Sequence, residues 1–278
     1  MKWNIVTDSS CDLFPAVWEN GEIQLSSVPF IISVGNRDFI DDETLDTAIL
    51  LDAMERCEQV SHTSCPSPQG WVEQFEQADY CIAITISSKL SGSMNSAALA
   101  KEMVLERCPE KKIEILDSCS TGPEIVMCVE KMCDLIRSGA DFEKVVSEVE
   151  AFLQDTHIVF ALSSFNNLVK SGRMSKVAGF VAGKLGMWGI GIGSDEGTIE
   201  FKGKTRGSEK AIAMLLDDMK KRGFQGGKVM ISHCHNLALA DRLQSKIKDI
   251  WHDAKIHMIP ARGLCSYYAQ RGGLIVSY

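Results

Sequence analysis

Three hydroxyl-rich segments are the first candidates for chemistry: Thr7-Asp8-Ser9-Ser10, Thr63-Ser64-Cys65-Pro66-Ser67, and Ser87-Ser88 with Ser91-Gly92. Hydroxyls beside the free N–H groups of a helix start make an anion site, suited to a carboxylate or a phosphate. The same residues also serve as plain helix N-caps, and both readings stand at this level. Acid–base catalysis at these positions would need a proton acceptor, which Asp8, Asp117 or His233 would have to supply. His233-Cys234-His235 is the one metal-like cluster. In a strand its two imidazoles would share a face, yet no third or fourth ligand lies nearby, so no metal is expected. Gly179, Gly183, Gly186, Gly189, Gly191 and Gly193 form a glycine-rich tract without a P-loop or dinucleotide signature. Close packing of backbone against a ligand or neighbouring helix accounts for it better than a phosphate loop. No G-x-S-x-G elbow supports a hydrolase.

These residues need elements to hold them. Trp3 to Val6 reads as a strand running into the first hydroxyl turn, Val28 to Val34 as a second, and Thr44 to Cys57 as a helix. The acidic run Asp41-Asp42-Glu43 is expected to favour the positive end of that helix. Tyr80 to Ile86 and Ile113 to Leu116 are further strands, each followed by a polar turn and a helix. That repetition predicts a parallel, three-layer α/β/α domain, whose ligands bind at the carboxyl ends of the strands. The second half differs. Strands are expected at His157 to Leu162, Met187 to Gly193, Thr198 to Phe201, Lys228 to Ser232 and Leu274 to Tyr278. Helices are expected near Ser208 to Arg222 and Leu237 to Ile250, and Ser194-Asp195-Glu196-Gly197 reads as a hairpin turn. The second domain is therefore α/β with a mixed sheet, and the boundary falls near residue 155, giving domains 1–155 and 156–278.

The 278 residues, 45% hydrophobic and 24% charged, describe an ordinary globular chain rather than a disordered or fibrous one. A net charge of −8 argues against nucleic acid and against a polybasic membrane-surface protein. No signal-peptide core or membrane-spanning run is present, so a cytoplasmic location is expected. Ten scattered cysteines without a CxxC pair are expected to stay reduced there.

Four segments in order resemble the DegV family of bacterial fatty-acid-binding proteins. Val6-Thr7-Asp8-Ser9-Ser10-Cys11-Asp12-Leu13 is similar to its V-T-D-S-x-x-D-L, and Thr63-Ser64-Cys65-Pro66-Ser67 to its T-S-x-P-S. Ser87-Ser88-Lys89-Leu90-Ser91-Gly92-Ser93 resembles S-S-x-L-S-G-T, and Leu168-Val169-Lys170-Ser171-Gly172-Arg173-Met174-Ser175 resembles L-x-K-x-G-R-M-S. The resemblance implies a two-domain DegV-like architecture with one long-chain fatty acid in a tunnel between the domains. It implies that Thr63 and Ser91 hydrogen-bond the carboxylate, with Ser64 and Gly92 beside them; Arg173, on the G-R motif, either marks the tunnel mouth or partner surface or braces the turn after the Leu168 segment. Val177, Phe180, Val181, Leu185 and Met187 are candidate tunnel walls or ordinary core. It further implies a lipid carrier without cofactor or catalytic residue, presenting its acid to a separate fatty-acid kinase that forms the acyl phosphate.

Two departures from the family pattern matter. Relatives often carry H-x-G-P-G near the end, and its histidine joins the carboxylate network; here the region reads Tyr268-Ala269-Gln270-Arg271-Gly272-Gly273. Tyr267, Tyr268 or Arg271 would have to substitute. The family's R-T segment appears as Lys204-Thr205-Arg206, on a surface associated with the kinase. The rival readings are an enzyme or a regulatory module acting on another small carboxylated or phosphorylated ligand at the same strand ends.

Overall fold

The computed structural model describes residues 2–15, 23–57, 59, 61–175 and 186–278. Its first half runs β1 (Trp3–Asp8), β2 (Ile23–Val28), β3 (Ile31–Val34), β4 (Arg37–Ile40), α1 (Thr47–Arg56), β5 (Ser61–Ser64) and α2 (Pro68–Phe75). It continues with β6 (Tyr80–Thr85), α3 (Ser93–Arg107), β7 (Lys112–Asp117), α4 (Pro123–Arg137) and α5 (Phe142–Asp155). The second half comprises β8 (Ile158–Leu162), α6 (Asn166–Lys170), β9 (Met187–Gly193), β10 (Ile199–Arg206), α7 (Ser208–Lys221) and β11 (Lys228–His233). It closes with α8 (Leu237–Ile250), β12 (Lys255–Pro260), α9 (Gly263–Ala269) and β13 (Leu274–Ser277).

Strands β2-β1-β6-β7 form a parallel sheet in that order. Side chains alternate between its faces, as the two-residue period of a strand requires. Val6, Cys81 and Ala83 pack with Trp71, Phe75, Ala97 and Val104 of α2 and α3 on one side. Ile5, Ile82 and Ile84 pack with Val126, Val129, Val145 and Val149 of α4 and α5 on the other. This is the expected three-layer domain. The second sheet, β10-β9-β8-β13-β11-β12, is mixed: only the β11–β12 pair is parallel. Val159, Ala161, Leu274 and Val276 face α7 and α8, whereas Ile158, Phe160, Leu162 and Ile275 face the first half of the chain. The glycine stripe of β9 belongs here, because a Cβ at Gly189 or Gly191 would drive into the Phe165 or Phe160 ring. Close packing is what these glycines serve.

A third sheet, β4-β3-β5, is antiparallel and small. It corrects several expectations. The strand expected over Val28 to Val34 is two strands in two sheets, separated at Pro29, which has no N–H to give a ladder. Thr63 and Ser64 lie in β5 rather than in a turn, with Thr63 opposite Ile32. The α1 helix begins at Thr47, capped by the Asp46 carboxylate on the Ala48 amide, so Asp41 does not serve it. Asp41 instead accepts the amides of Gly263 and Leu264 at 2.9 and 2.8 Å, at the start of α9. The acidic run does meet a helix start, but one 222 residues away in the chain. His233-Cys234-His235 lies at a strand end, as an ordinary histidine pair would. β11 ends at His233, and His235 takes a left-handed backbone with φ +51°, so the imidazoles share no strand face. His235 Nε2 lies 2.9 Å from the Thr47 hydroxyl.

Buried charge ties α9 to the rest of the molecule. Arg262, 1% exposed, hydrogen-bonds the carbonyls of Leu13 and Asp41 and the Ser27 hydroxyl at 2.9–3.1 Å. Its amide donates to Asp12 Oδ1 at 2.8 Å. The other Asp12 oxygen is buried without a hydrogen bond. Burial pushes the Asp12 carboxyl up to about 6, against the pull of Ser232 and Arg262. The folded chain thus holds a proton over a window in which the unfolded carboxyl, near 3.8, does not. Stability from this group therefore rises as pH falls from about 6 towards about 4 and is lost as pH rises again. Asp12→Asn, which imitates the protonated form, is expected to raise the urea midpoint at pH 7 and to flatten its pH dependence. The gain is up to about 3 kcal/mol, the equivalent of about two pKa units. An unchanged pH profile would show that Asp12 is not the titrating group.

Candidate functional site

The carboxyl end of the parallel sheet, the small third sheet and the inner face of the mixed sheet enclose a cavity of about 390 Å³. That lies within the range of small-molecule sites. Its wall is mostly apolar: Phe30 after β2, Ile86 after β6, Leu90, Leu168 of α6, Ile199 of β10, Leu264 of α9 and Ile275 of β13. Its polar groups are Thr63, Ser64, Ser91, Thr121, Arg173 and Tyr268. The sequence distances are large, but each segment lies at the end of a strand or a short helix, where the topology places its ends together.

Asp8 explains how the first motif and the Ser87–Ser93 turn fit each other. Its buried carboxylate accepts the Ile86 amide at 3.0 Å, the Ser93 hydroxyl at 2.6 Å, and both the amide and hydroxyl of Ser10. Burial raises its carboxyl above the ordinary value, opposed by those donors. Asp8 therefore grips the turn at both ends, just before Ser87 and just after Gly92. The anion-site reading of Thr7-Asp8-Ser9-Ser10 gives way to this structural one, since its donors already serve an internal carboxylate. Between the grips, the Ser91 hydroxyl oxygen accepts the Ser93 amide at 3.2 Å, which leaves its own hydrogen free to donate.

Across the cavity, the inner face of β5 presents Ser61 and Thr63 two residues apart. The consecutive tyrosines of α9 meet them: Tyr267 OH lies 2.9 Å from the Ser61 hydroxyl, and Tyr268 OH 3.1 Å from Thr63 Oγ1. The tyrosine rings pack edge to face, 4.9 Å between centroids. Tyr268 lines the cavity with Thr63, whereas Tyr267 is buried behind it. Arg173 reaches the cavity from the loop after α6, donating to the Leu90 carbonyl at 3.1 Å and to the Ser171 carbonyl at 2.7 Å. It both braces its own turn and touches the Ser91 turn.

Thr63, Ser64, Ser91, Gly92, Arg173 and Tyr268 are thus brought together. Arg271 is not: its guanidinium binds Asp52 at 2.7 Å and Glu55 at 2.8 Å on the far side of α1. Met187 starts β9, away from the cavity lining. Val177, Phe180, Val181 and Leu185 lie outside the described residues. Sequence reasoning missed Phe30, Thr121, Ile199, Leu264, Cys265 and Ile275 as lining residues. No motif marks them, although Ile199 sits on a strand whose alternation is readable.

The described lining contains no carboxylate and no imidazole. Of the candidate bases, Asp8 is enclosed by four donors, and Asp117 accepts the Ser88 and Cys119 amides at 3.1 and 3.0 Å. His233 ends β11, its ring held below the ordinary histidine range by burial and by His235. Among the described residues, no group of three metal-ligating side chains is arranged to hold an ion. All ten cysteines are free thiols, and no described helix is long and apolar enough to cross a membrane. The arrangement is suited to a ligand with a small anionic head, met by neutral hydroxyls, and an apolar body.

Comparison with known proteins gives one consistent answer. The family model described as "Uncharacterised protein, DegV family" matches residues 2–277. A DegV domain-containing protein of Streptococcus pyogenes serotype M1 is 40% identical over 278 residues, covering 100% of this chain and 99% of the relative. The crystal structure of the Streptococcus pneumoniae Fatty Acid Kinase (Fak) B3 protein loaded with linoleic acid is 38% identical. It superposes with a TM-score of 0.96 over 100% of this chain and 99% of that one. A DegV family protein from Eubacterium eligens loaded with heptadecanoic acid is 37% identical, with a TM-score of 0.94 over 99% and 98% of the two chains.

Proposed function

Because this chain belongs to the DegV family, we propose that it binds one long-chain fatty acid in the cavity and carries it rather than transforming it. The observation that carries this reading is the pairing of a hydroxyl cluster with an apolar cavity that contains no carboxylate and no imidazole among its described residues. In support, two relatives with the same fold were crystallised with linoleic and heptadecanoic acid. Thr63 and Ser91 donate to the carboxylate, and charge-assisted hydrogen bonds hold it without a permanent counter-ion. Arg173 lies at the same mouth. The acyl chain follows the apolar wall, gaining about 0.8 kcal/mol per CH₂ removed from water. Residues 1–155 form the domain with the carboxylate turns, and residues 156–278 the domain that closes the tunnel.

Tyr268 takes the place of the family histidine. It is the one of the three candidate substitutes that both lines the cavity and bonds Thr63. Its phenol can donate to Thr63 Oγ1, which leaves the threonine's own hydrogen for the carboxylate. The kinase partner is supported by the S. pneumoniae relative, a Fatty Acid Kinase B3 protein. Presentation of the acid to such a kinase, for acyl-phosphate formation, is the activity we assign.

Native mass spectrometry of the purified chain tests the ligand directly. A mass increment released on organic extraction and identified as a long-chain acid is the expected result. Protein that neither carries nor binds such an acid would refute the reading. Tyr268→Phe, which keeps the ring, is expected to weaken acid binding about five- to tenfold, the usual worth of one hydrogen bond. Unchanged affinity would remove Tyr268 from the carboxylate network.

A further inference from the structure

Ser87 opens the hydroxyl-rich turn, is fully buried and stands outside the cavity lining. Its backbone is a hub. The Ser87 carbonyl accepts the amides of Leu90 and Ser91 at 2.9 and 3.2 Å, and its own amide donates to the Ser120 carbonyl at 2.8 Å. Its hydroxyl does something different. Ser87 Oγ donates to the carbonyl of Gly197 at 2.7 Å and accepts the Lys89 amide at 3.2 Å. Gly197 is the last residue of the turn joining β9 to β10, in the other half of the chain.

That turn is built to make this contact. Gly197 has φ +82°, a conformation natural to glycine, and a Cβ there would drive into the Ser87 hydroxyl and press on Cys119. The turn is otherwise self-supporting: the Gly197 amide donates to the Ser194 carbonyl, and the Thr198 amide to the Ser194 hydroxyl. Two residues beyond Gly197, Ile199 enters the cavity wall. One hydroxyl therefore ties the turn that carries Ser91 to the hairpin that carries part of the acyl wall.

We propose that Ser87 is a positioning residue for the ligand site, holding the Ser91 turn and the Ile199 wall in register by a latch onto Gly197. The inference rests on the fatty-acid reading above and adds a residue that touches no ligand. With the latch closed, the Ser91 hydroxyl and the apolar wall face one cavity; with it open, the turn at Ser194–Gly197 loses its tie to the Ser91 turn and the bound acid escapes faster.

The test is a double-mutant cycle read by stopped-flow exchange of a fluorescent long-chain acid. Ser87→Ala keeps every backbone–backbone bond of the turn and is expected to raise the dissociation rate about fivefold or more, since the buried hydrogen bond to Gly197 is lost along with the acceptor of the Lys89 amide. Gly197→Ala should do the same by displacing the hairpin. The combined variant should be no worse than Gly197→Ala alone, because the atom it collides with is gone. Ser194→Ala, which loosens the hairpin turn without touching Ser87, is the control and should shift thermal stability more than exchange. Additive losses in the cycle, or an exchange rate unchanged by Ser87→Ala, would overturn the latch. Ser91→Ala, measured alongside, separates the two ideas: if it weakens binding while Ser87→Ala leaves exchange unchanged, the latch alone fails. If neither variant has an effect, the ligand reading fails with it.

Discussion

Ser91→Ala is expected to weaken binding of a long-chain acid by about ten- to hundredfold, and Thr63→Val by a similar factor, with the fold intact. The range follows from about 1.5–3 kcal/mol for a hydrogen bond to a charged acceptor. Each substitution removes one donor from a carboxylate that would otherwise be buried beside apolar wall. Neither should unfold the chain. Ser91 is half-exposed, and its structural duty is a single bond from the Ser93 amide at the start of α3. Losing it should cost no more than a helix cap, about 1 kcal/mol. Thr63 sits in the edge strand β5, and valine matches its shape and strand preference. Displacement of a fluorescent acid, with thermal melting as the control, reads both quantities. Wild-type affinity in both variants would remove these residues from the site.

The largest stability loss is expected from Arg262→Ala, about 3–5 kcal/mol, because two carbonyls and a hydroxyl lose their buried donor and the cation beside the Asp12 and Asp41 carboxyls is removed. Arg262 joins the segment after β1, residue 41 and α9 through hydrogen bonds to Leu13, Ser27 and Asp41. Its guanidinium also lies over the Phe14 ring, 4.8 Å from the centroid. Without it, Asp12 and Asp41 are left as buried carboxyls with no cation, and α9 loses its anchor. Because α9 carries Leu264 and Tyr268 into the cavity, acid affinity should fall with stability. Urea unfolding measures the first and ligand displacement the second. A stability loss below about 1 kcal/mol would mean that Arg262 is merely accommodated rather than required.

The two parts of the molecule differ in how far they could be read without coordinates. The parallel domain repeats strand, polar turn and helix over short intervals, and each repeat carries its own period. The glycines of β9 likewise signalled close packing, and Phe160 and Phe165 are what they accommodate. By contrast, α9 is seven residues long, too short to show a helical period, and it went unrecognised although it supplies Tyr268. The strand β12 is hard to read as well: its alternation spans only Lys255-Ile256-His257-Met258 before Ile259 and Pro260 break it, and its edge position leaves Ile256, Met258 and Ile259 only partly buried.

The local chemistry of the chain was determined by sequence alone: hydroxyls at strand ends, a mixed second sheet, the DegV motifs and the absence of the family histidine. These are properties of neighbouring residues, where spacing of a few positions dictates which groups share a turn or a face. Only the tertiary structure decided which distant groups meet. It set Asp41 on a helix start more than 200 residues downstream, sent Arg271 to Asp52 and Glu55, and chose Tyr268 over Tyr267 as the partner of Thr63. Those choices depend on how two sheets and a short helix pack, and burial rewards whichever pairing leaves the fewest charges and hydroxyls without partners. No local pattern encodes that outcome, because every residue involved has the same immediate neighbours whether or not its distant partner arrives.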